Sequence, residues 1–272
     1  MEKNSRMIKD PAALVAIREG GKKLGEILAE CAAMVAPGIS TKALDDRAEF
    51  LIRQCGGRPA FLGYTISTKD PAYPASLCVS VNEEVVHGIP RVDHIIQDGD
   101  VVGLDIGMEW PFTPDGPKGY YTDTAISVIA GTPRAEDEKI LAATYESLCR
   151  GIKAATVGNE IKDISKAVEK YLTPLGYGIV RDLVGHGVGY AVHEAPQVPN
   201  FTDRFQPSIR LLPGMVLALE PMVTIGSADV YTEKDGWTVS TEDHSRSAHF
   251  EHTIIISPTG PEIVTLRPGE KI

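Results

Sequence analysis

Four carboxylates occupy equivalent positions in a pattern that the chain contains twice. Asp105 ends an apolar run that begins six residues earlier at a glycine, and Glu220 ends a similar run at the same spacing. A second acid follows each of them, Asp123 in the first half and Glu251 in the second, again beside residues typical of strands. Buried carboxylates are costly unless a positive charge neutralises them. The repeated pattern therefore predicts a site for two metal ions.

A simpler interpretation is that these acids are hydrogen-bonded core residues or turn caps, which is the better explanation for any single one of them. The presence of four acids in a repeated sequence context argues against this simpler interpretation. Side chains alternate between the faces of a strand, so Asp105 and Asp123 can approach each other if their strands pair. Two carboxylates that lie so close repel unless a cation sits between them.

Three histidines in turn-like contexts add nitrogen donors. His186 lies in the glycine-rich segment 185–189, His193 follows it, and His87 precedes a Gly-Ile-Pro turn. Oxygen ligands with one imidazole suit Mn(II), Fe(II), Co(II) or Zn(II) and do not choose among them. Segment 185–189 lacks the spacing of a phosphate-binding loop, and the chain has no Gly-x-Ser-x-Gly nucleophile motif.

The whole chain has the composition of an ordinary globular protein. It contains 272 residues, 43% hydrophobic and 24% charged, with a formal net charge of −10. The acidic balance argues against non-specific binding to nucleic acid or anionic membranes. Four cysteines without C-x-x-C spacing indicate reduced thiols. There is neither a signal peptide nor a membrane-spanning run, and we expect a cytoplasmic protein.

Hydrophobic periodicity and turn residues predict two helices and several strands in each half of the chain. The predicted helices are 17–35, 40–56, 139–155 and 161–172, and the predicted strands are 78–81, 101–108, 124–129, 178–180, 216–220 and 253–257. We expect an α/β fold in which residues 1–272 form a single catalytic domain. Its halves, about 12–131 and 135–265, read as a duplicated unit.

Motifs from both halves together resemble the signature of type I methionine aminopeptidases. The matching segments are 78–90, 185–189, 220–222, 235–239 and 247–253, and the resemblance runs from about residue 12 to 268. It implies the pita-bread fold, in which two pseudo-symmetric halves of two helices plus antiparallel strands surround a central curved sheet.

The resemblance also implies a role for each site residue. The metal ligands would be Asp105, Asp123, His186, Glu220 and Glu251, with Asp123 and Glu251 bridging two ions. Glu220 would transfer the proton, while His87 and His193 would contact the scissile amide. Four residues would line the methionine pocket: Tyr64, Tyr73, Cys78 and Trp237. Without the motifs, core packing explains these aromatic residues equally well, and Cys78 reads as a small buried hydrophobe.

The implied activity is removal of the N-terminal methionine from nascent proteins and peptides with a small second residue. Two divalent ions would activate a hydroxide for the attack. The expected partners are nascent polypeptide N-termini, and contact with the ribosome is an open question because no binding motif is visible. We expect a monomer without membrane association or specific nucleic-acid recognition.

Two main alternatives are a related enzyme and a protein of a different class. Xaa-Pro aminopeptidases and prolidases share the fold and ligands but usually carry an added N-terminal domain, whereas the pattern here begins near residue 12. A non-catalytic binding module would typically have lost ligands, and all five are present. The type II enzyme is disfavoured because only 26 residues separate His193 from Glu220.

Several positions depart from the usual family pattern. The stretch Thr65–Ala72 is an insertion, and the hairpin tip Glu109–Gly119 is longer than expected. Phe61 and Val192 stand where many relatives have Cys and Phe. We expect these changes to affect side-chain preference rather than the reaction.

Overall fold

The computed structural model describes residues 7–67 and 71–272, so residues 68–70 of the insertion Thr65–Ala72 lie outside the described residues. Within those ranges the helices are α1 (Pro11–Ala33), α2 (Thr41–Gln54), α3 (Ala135–Ala154) and α4 (Ile161–Leu172), and a 3₁₀ turn (Thr173–Leu175) follows α4. All four predicted helices are present. No described helix combines the length and apolar character that a membrane span requires.

Short strands make up most of the remaining structure. They are β1 (Arg58–Pro59), β2 (Leu77–Val81), β3 (Glu84–Val86), β4 (Val101–Trp110), β5 (Tyr120–Ile129), β6 (Gly178–Ile179), β7 (Gly185–Gly187), β8 (Glu194–Val198), β9 (Val216–Leu219), β10 (Met222–Thr224), β11 (Val230–Thr232), β12 (Val239–Thr241), β13 (Ser247–His249), β14 (Glu251–Ser257) and β15 (Gly260–Ile263).

Some helices and strands begin or end at other residues than predicted, because capping residues and strand pairing extend them. Helix α1 begins six residues earlier than predicted because Asp10 accepts a hydrogen bond from the Ala13 N–H at 2.9 Å and Pro11 occupies the first turn. Ser40 caps α2 as expected, since its hydroxyl accepts from the Ala43 N–H at 3.2 Å. Strands β4 and β5 are longer than predicted, which confines the hairpin tip to residues 111–119.

A large antiparallel sheet joins the two halves of the chain. Its strand order is β1-β4-β5-β14-β9-β7-β8, with β2 also paired to β4 and β15 to β14. Strands β5 and β14, one from each half, pair at the centre of this order, where Glu251 lies opposite Ala125. The carboxylates of both halves therefore meet at the seam between them.

Each half packs its two helices on its own strands. Leu24 of α1 and Leu44 of α2 share a core cluster with Leu104 of β4, and Ile140 of α3 shares another with Leu217 of β9. Because side chains alternate along a strand, Leu104 and Ile106 face the helices while the side chain between them, that of Asp105, points to the opposite face. One face of the sheet is thus the core, and the other is free to form a site.

A buried carboxylate anchors strand β2 to helix α2. Asp45 is 2% exposed and accepts hydrogen bonds from the backbone N–H groups of Ser76 and Leu77 at 2.8 and 3.0 Å. Its neighbour Asp46 is exposed and forms an ion pair with Lys42, which also lies 3.3 Å from Asp45 Oδ2. The first acid satisfies buried donors, whereas the second makes a surface ion pair.

We expect Asp45→Ala to lower the free energy of unfolding by about 2–4 kcal/mol, because two buried donors lose their acceptor. The matched variant Asp46→Ala should change it by about 0–1 kcal/mol. Urea unfolding followed by circular dichroism measures both. Equal losses in the two variants would contradict the anchoring role.

Candidate metal centre and adjoining cavity

Three adjacent strands place the acids on one face of the sheet. Asp105 of β4 and Glu251 of β14 both lie opposite Ala125 of β5 in the strand register. Asp123 precedes Ala125 by two residues and therefore shares its face. The small Ala125 side chain leaves the space between the carboxylates open.

The donor atoms of these residues lie within metal-binding distance of one another. Asp105, Asp123 and Glu251 each offer an oxygen within 4.8 Å of the others. His186, Glu220 and Glu251 form a second such group. Because Glu251 belongs to both, the five predicted ligands form one continuous cluster.

His186 reaches this cluster through a close approach of strands β7 and β9. It lies opposite Ala218, and a side chain at Gly185 would place its Cβ 2.5 Å from the Ala218 carbonyl oxygen. The flanking glycine is therefore required for the strands to pack so closely. His186 Nδ1 is 2.9 Å from the Gly187 carbonyl oxygen, which places the ring proton there and leaves Nε2 free 3.3 Å from Glu220 Oε1.

The polar atoms of the cluster are not satisfied by the described part of the protein. Asp105 Oδ1, Asp123 Oδ1 and Glu251 Oε1 are buried without a hydrogen-bond partner among the described residues. Burial raises the pKa of Asp105 to about 7, and burial together with the Asp105 charge raises the pKa of Asp123 well above its usual range. Orphaned, mutually repelling carboxylates beside an imidazole fit divalent cations.

His249 is a residue of the site to which sequence analysis gave no role. It is 3% exposed, and its Nε2 lies 3.7 Å from Glu220 Oε2 without a hydrogen-bond partner among the described residues. Burial lowers the pKa of His249 to about 3, so the ring is neutral. Its position two residues before Glu251 was the available signal, because that spacing repeats a strand face.

A cavity of about 390 Å³ opens from the metal cluster. Its lining includes Tyr64, Tyr73, Cys78, His87 and Trp237, which sequence analysis assigned to substrate binding. The Tyr73 and Trp237 rings meet edge to face with centroids 5.3 Å apart. Because Cys78 lies opposite Asp105 in the strand register, apolar and sulfur-containing walls adjoin the carboxylates directly.

The two predicted amide-binding histidines, His87 and His193, lie where the cavity meets the cluster of donor atoms. The His193 ring lies against His186 with centroids 4.3 Å apart, and its Nδ1 is 2.7 Å from the Tyr64 hydroxyl. His87 has a φ of 59°, an uncommon backbone conformation for a non-glycine residue. Burial lowers the pKa of His87 to about 4, so this ring is neutral at pH 7.

Some of the departures from the family pattern also border the cavity. Phe61 lines the cavity and packs closely against Gly107 of β4. A Cβ atom at position 107 would lie 2.7 Å from the Phe61 ring. Val192 is buried in the same core cluster as Phe61. Ile66, from the insertion, lines the cavity and is 71% exposed.

Comparison with known proteins places this geometry in a family. The family model described as metallopeptidase family M24 matches residues 15–258. The chain belongs to metallopeptidase family M24. Membership in this family implies the use of divalent metal, in agreement with the donor cluster.

Relatives of the M24 chain are similar over almost their full length. The methionine aminopeptidase of Clostridium acetobutylicum is 40% identical over 260 residues, which cover 96% of this chain and 98% of the relative. Methionine aminopeptidase 1 of Bacillus subtilis is 42% identical over 257 residues, covering 94% and 98%. The resemblance found by sequence analysis is thereby confirmed.

Solved structures share the fold of this chain. The methionine aminopeptidase of Thermotoga maritima superposes with a TM-score of 0.87 at 35% identity, covering 96% of this chain and 99% of that one. The prolidase of Pyrococcus horikoshii gives 0.75 at 21% identity and covers 99% and 66%, a likeness of fold alone. The predicted pita-bread architecture is confirmed.

We expect the Asp105 carboxyl to contribute stability to the metal-free protein that is lost as the pH rises. The neutral His87 and His249, whose pKa values burial lowers to about 4 and about 3, contribute in the opposite direction below about pH 6.5, so the Asp105 contribution is the difference from Asp105→Asn. Burial raises the pKa of Asp105 from its unfolded value to about 7, so the folded state keeps a proton that the unfolded chain releases. The stabilisation is complete below about pH 4 and declines by up to about 1.4 kcal/mol per pH unit until it is lost above pH 7. Asp123 and Glu251 shift in the same direction.

Urea unfolding from about pH 5 to about pH 8, in chelator and in saturating Mn(II), measures this slope. Mn(II) should abolish the decline because it binds deprotonated carboxylates. Asp105→Asn should reduce the slope in chelator. An unchanged slope in that variant would show that Asp105 does not titrate as argued.

Proposed function

We propose that this chain removes the N-terminal methionine from polypeptides by metal-dependent hydrolysis. The observation that carries the proposal is the junction of the five-donor cluster with the cavity lined by Tyr64, Tyr73, Cys78 and Trp237. Aromatic and sulfur-containing walls favour an unbranched thioether side chain. Full-length similarity to proteins named methionine aminopeptidase supports the same substrate.

We propose Asp105, Asp123, His186, Glu220 and Glu251 as ligands of two divalent ions drawn from Mn, Fe, Co and Zn. Glu251 would be suited to bridging because it belongs both to the group with Asp105 and Asp123 and to the group with His186 and Glu220. The family resemblance makes Asp123 the other bridging ligand, and Asp123 shares the first of these groups with Glu251. Divalent ions in such a site supply Lewis acidity that lowers the pKa of water and polarises a carbonyl group.

The protein groups around the ligands would handle the protons. Glu220 stands between the His186 and His249 rings, at 3.3 and 3.7 Å, and is the group placed to accept a proton from water and return it to the leaving amine. His87 and His193 would donate hydrogen bonds to the substrate carbonyl oxygen as negative charge develops there.

The cavity walls would hold the substrate for this reaction. The Trp237 indole N–H donates to the Pro71 carbonyl at 3.0 Å, and the Tyr73 hydroxyl donates to the Gly88 carbonyl at 2.8 Å. Both rings are thus fixed before substrate arrives, so they exclude water at little entropic cost. Both halves of the chain contribute to one site, and we propose that they act as a single domain.

We propose that the substrates are nascent chains in the cytoplasm whose second residue is small, and that the enzyme is a monomer. The small second residue follows from the family resemblance. The free, neutral α-amino group of the substrate would bind at the metal site, which would restrict cleavage to the first residue.

A tripeptide comparison tests the substrate. We expect hydrolysis of Met-Ala-Ser and little of Ala-Pro-Ala, measured by release of the free amino acid. A chelator should abolish the reaction, and Mn(II) or Co(II) should restore it. Preferential cleavage of Ala-Pro-Ala would instead assign a proline-directed activity, and full activity without metal would refute the metal-dependent mechanism.

Glu220→Gln should lower kcat at least about 10²-fold, because the variant loses both the proton acceptor and one charge of the ligand set. The matched control is Glu242→Gln, which changes an exposed acid outside the cavity and should keep wild-type kcat. Metal content measured on both variants separates loss of proton transfer from loss of metal. Wild-type kcat in metal-loaded Glu220→Gln would remove Glu220 from the chemistry.

A further inference from the structure

Tyr64 contacts both the side-chain pocket and a histidine at the reacting end of the cavity. Its ring is 6.4 Å from the Trp237 ring, and its hydroxyl lies 2.7 Å from His193 Nδ1. The Tyr64 and His193 rings also meet edge to face with centroids 5.1 Å apart. A residue that only formed a pocket wall would need neither the hydroxyl nor this alignment.

We propose that the Tyr64 hydroxyl donates a hydrogen bond to His193 Nδ1 and thereby holds the ring with its proton on Nε2, directed at the substrate carbonyl. Tyr64 is then a positioning residue that acts through His193. This inference rests on the proposed function, in which His193 stabilises the developing negative charge.

The proposed direction assigns the donor to the phenol and the acceptor to His193 Nδ1. A neutral imidazole carries one donor and one acceptor nitrogen. The phenol keeps its proton, because burial and the Asp123 charge raise the pKa of Tyr64. Donation to Nδ1 satisfies this proton, and it leaves Nε2–H as the group available to the cavity.

His193 needs such a support because it lies between strands β7 and β8 and its side chain is exposed. The His186 ring beside it makes an edge contact, and a nitrogen of His193 lies within 4.8 Å of an Asp123 oxygen and a His186 nitrogen, with no hydrogen bond among these described side chains. The next residue, Glu194, forms an ion pair with Lys9 Nζ at 2.5 Å. This pair helps to hold the chain next to His193 but does not restrict rotation of the His193 ring. The Tyr64 hydroxyl is the described group that can fix the ring.

The backbone around Tyr64 is itself secured on both sides of the insertion. The Tyr64 N–H donates to the Phe61 carbonyl, and the Tyr73 N–H donates to the Tyr64 carbonyl, each at 2.8 Å. Gly63 N–H closes the pair by donating to the Tyr73 carbonyl at 2.8 Å. These bonds hold the ends of the inserted segment together, so that the insertion does not displace the hydroxyl from His193.

Tyr64→Phe tests the proposal, because it keeps the aromatic wall and removes the hydroxyl. We expect kcat for Met-Ala-Ser to fall about tenfold while KM changes by less than about twofold. In the His193→Ala background the same substitution should cause no further loss of kcat. The matched control is Tyr73→Phe, whose hydroxyl bonds to the Gly88 carbonyl and whose effect should multiply with that of His193→Ala.

Nitrogen-15 NMR of the zinc-loaded protein reads the ring directly. The wild type should show the proton on His193 Nε2, and Tyr64→Phe should show a mixture of tautomers. Wild-type kcat in Tyr64→Phe, a multiplicative loss in the double variant, or an unchanged tautomer would overturn the inference. Failure of the wild type to cleave Met-Ala-Ser would overturn the proposed function instead, and the tautomer measurement would still decide whether Tyr64 orients His193.

Discussion

Burial of four carboxylates on one face of a sheet is the constraint on which the rest of the structure depends. Removing each charge from water costs several kcal/mol, and the charges also repel one another. Without bound cations, the strands that carry them are under a force that separates them. Reciprocal bonds oppose it, since the Asp123 N–H donates to Thr253 Oγ1 at 3.0 Å and that hydroxyl donates to the Asp123 carbonyl at 2.7 Å. Thr124 Oγ1 likewise donates to the Glu251 carbonyl at 2.8 Å.

These threonines lie at the seam between the halves, where backbone pairing is short. Strands β5 and β14 pair only through Ala125 with Glu251 and Thr124 with His252. The C-terminal segment reinforces the same place, because Arg267 donates to the Ala125 carbonyl at 3.3 Å and Thr265 lies 3.0 Å from His252 Nδ1. The site therefore exists only when both halves and the C-terminal segment are assembled, which joins folding to metal binding.

The sequence predicts the helices, the strands and the face on which each acid lies, because these depend on local periodicity. It does not predict which residues lie opposite each other on paired strands. Strand alternation was enough to bring Asp105 and Asp123 to one face, and repetition added Glu220 and Glu251. Neither pattern predicts that Asp105 and Glu251 both flank Ala125, because the register between strands depends on the whole sheet. The Tyr64–His193 bond joins residues 129 positions apart, which no local pattern encodes. His249 was visible through its spacing from Glu251 but needed Glu220 beside it to acquire a role.

The two halves share an arrangement of strands, but the side chains that they contribute to the site differ. Strand β2 flanks β4 in the first half as β7 flanks β9 in the second, and these outer strands carry Cys78 and His186. The first half adds Tyr64, Tyr73 and His87 to its thiol, and the second adds Trp237, His193 and His249 to its imidazole. The four acids thus lie between an aromatic wall and a set of neutral imidazoles, and both halves contribute to each. In the proposed function, the first side chain of a peptide would face the aromatic wall and its amide would face the imidazoles. That asymmetry between the two sides of the acids would let the site select the end of a chain.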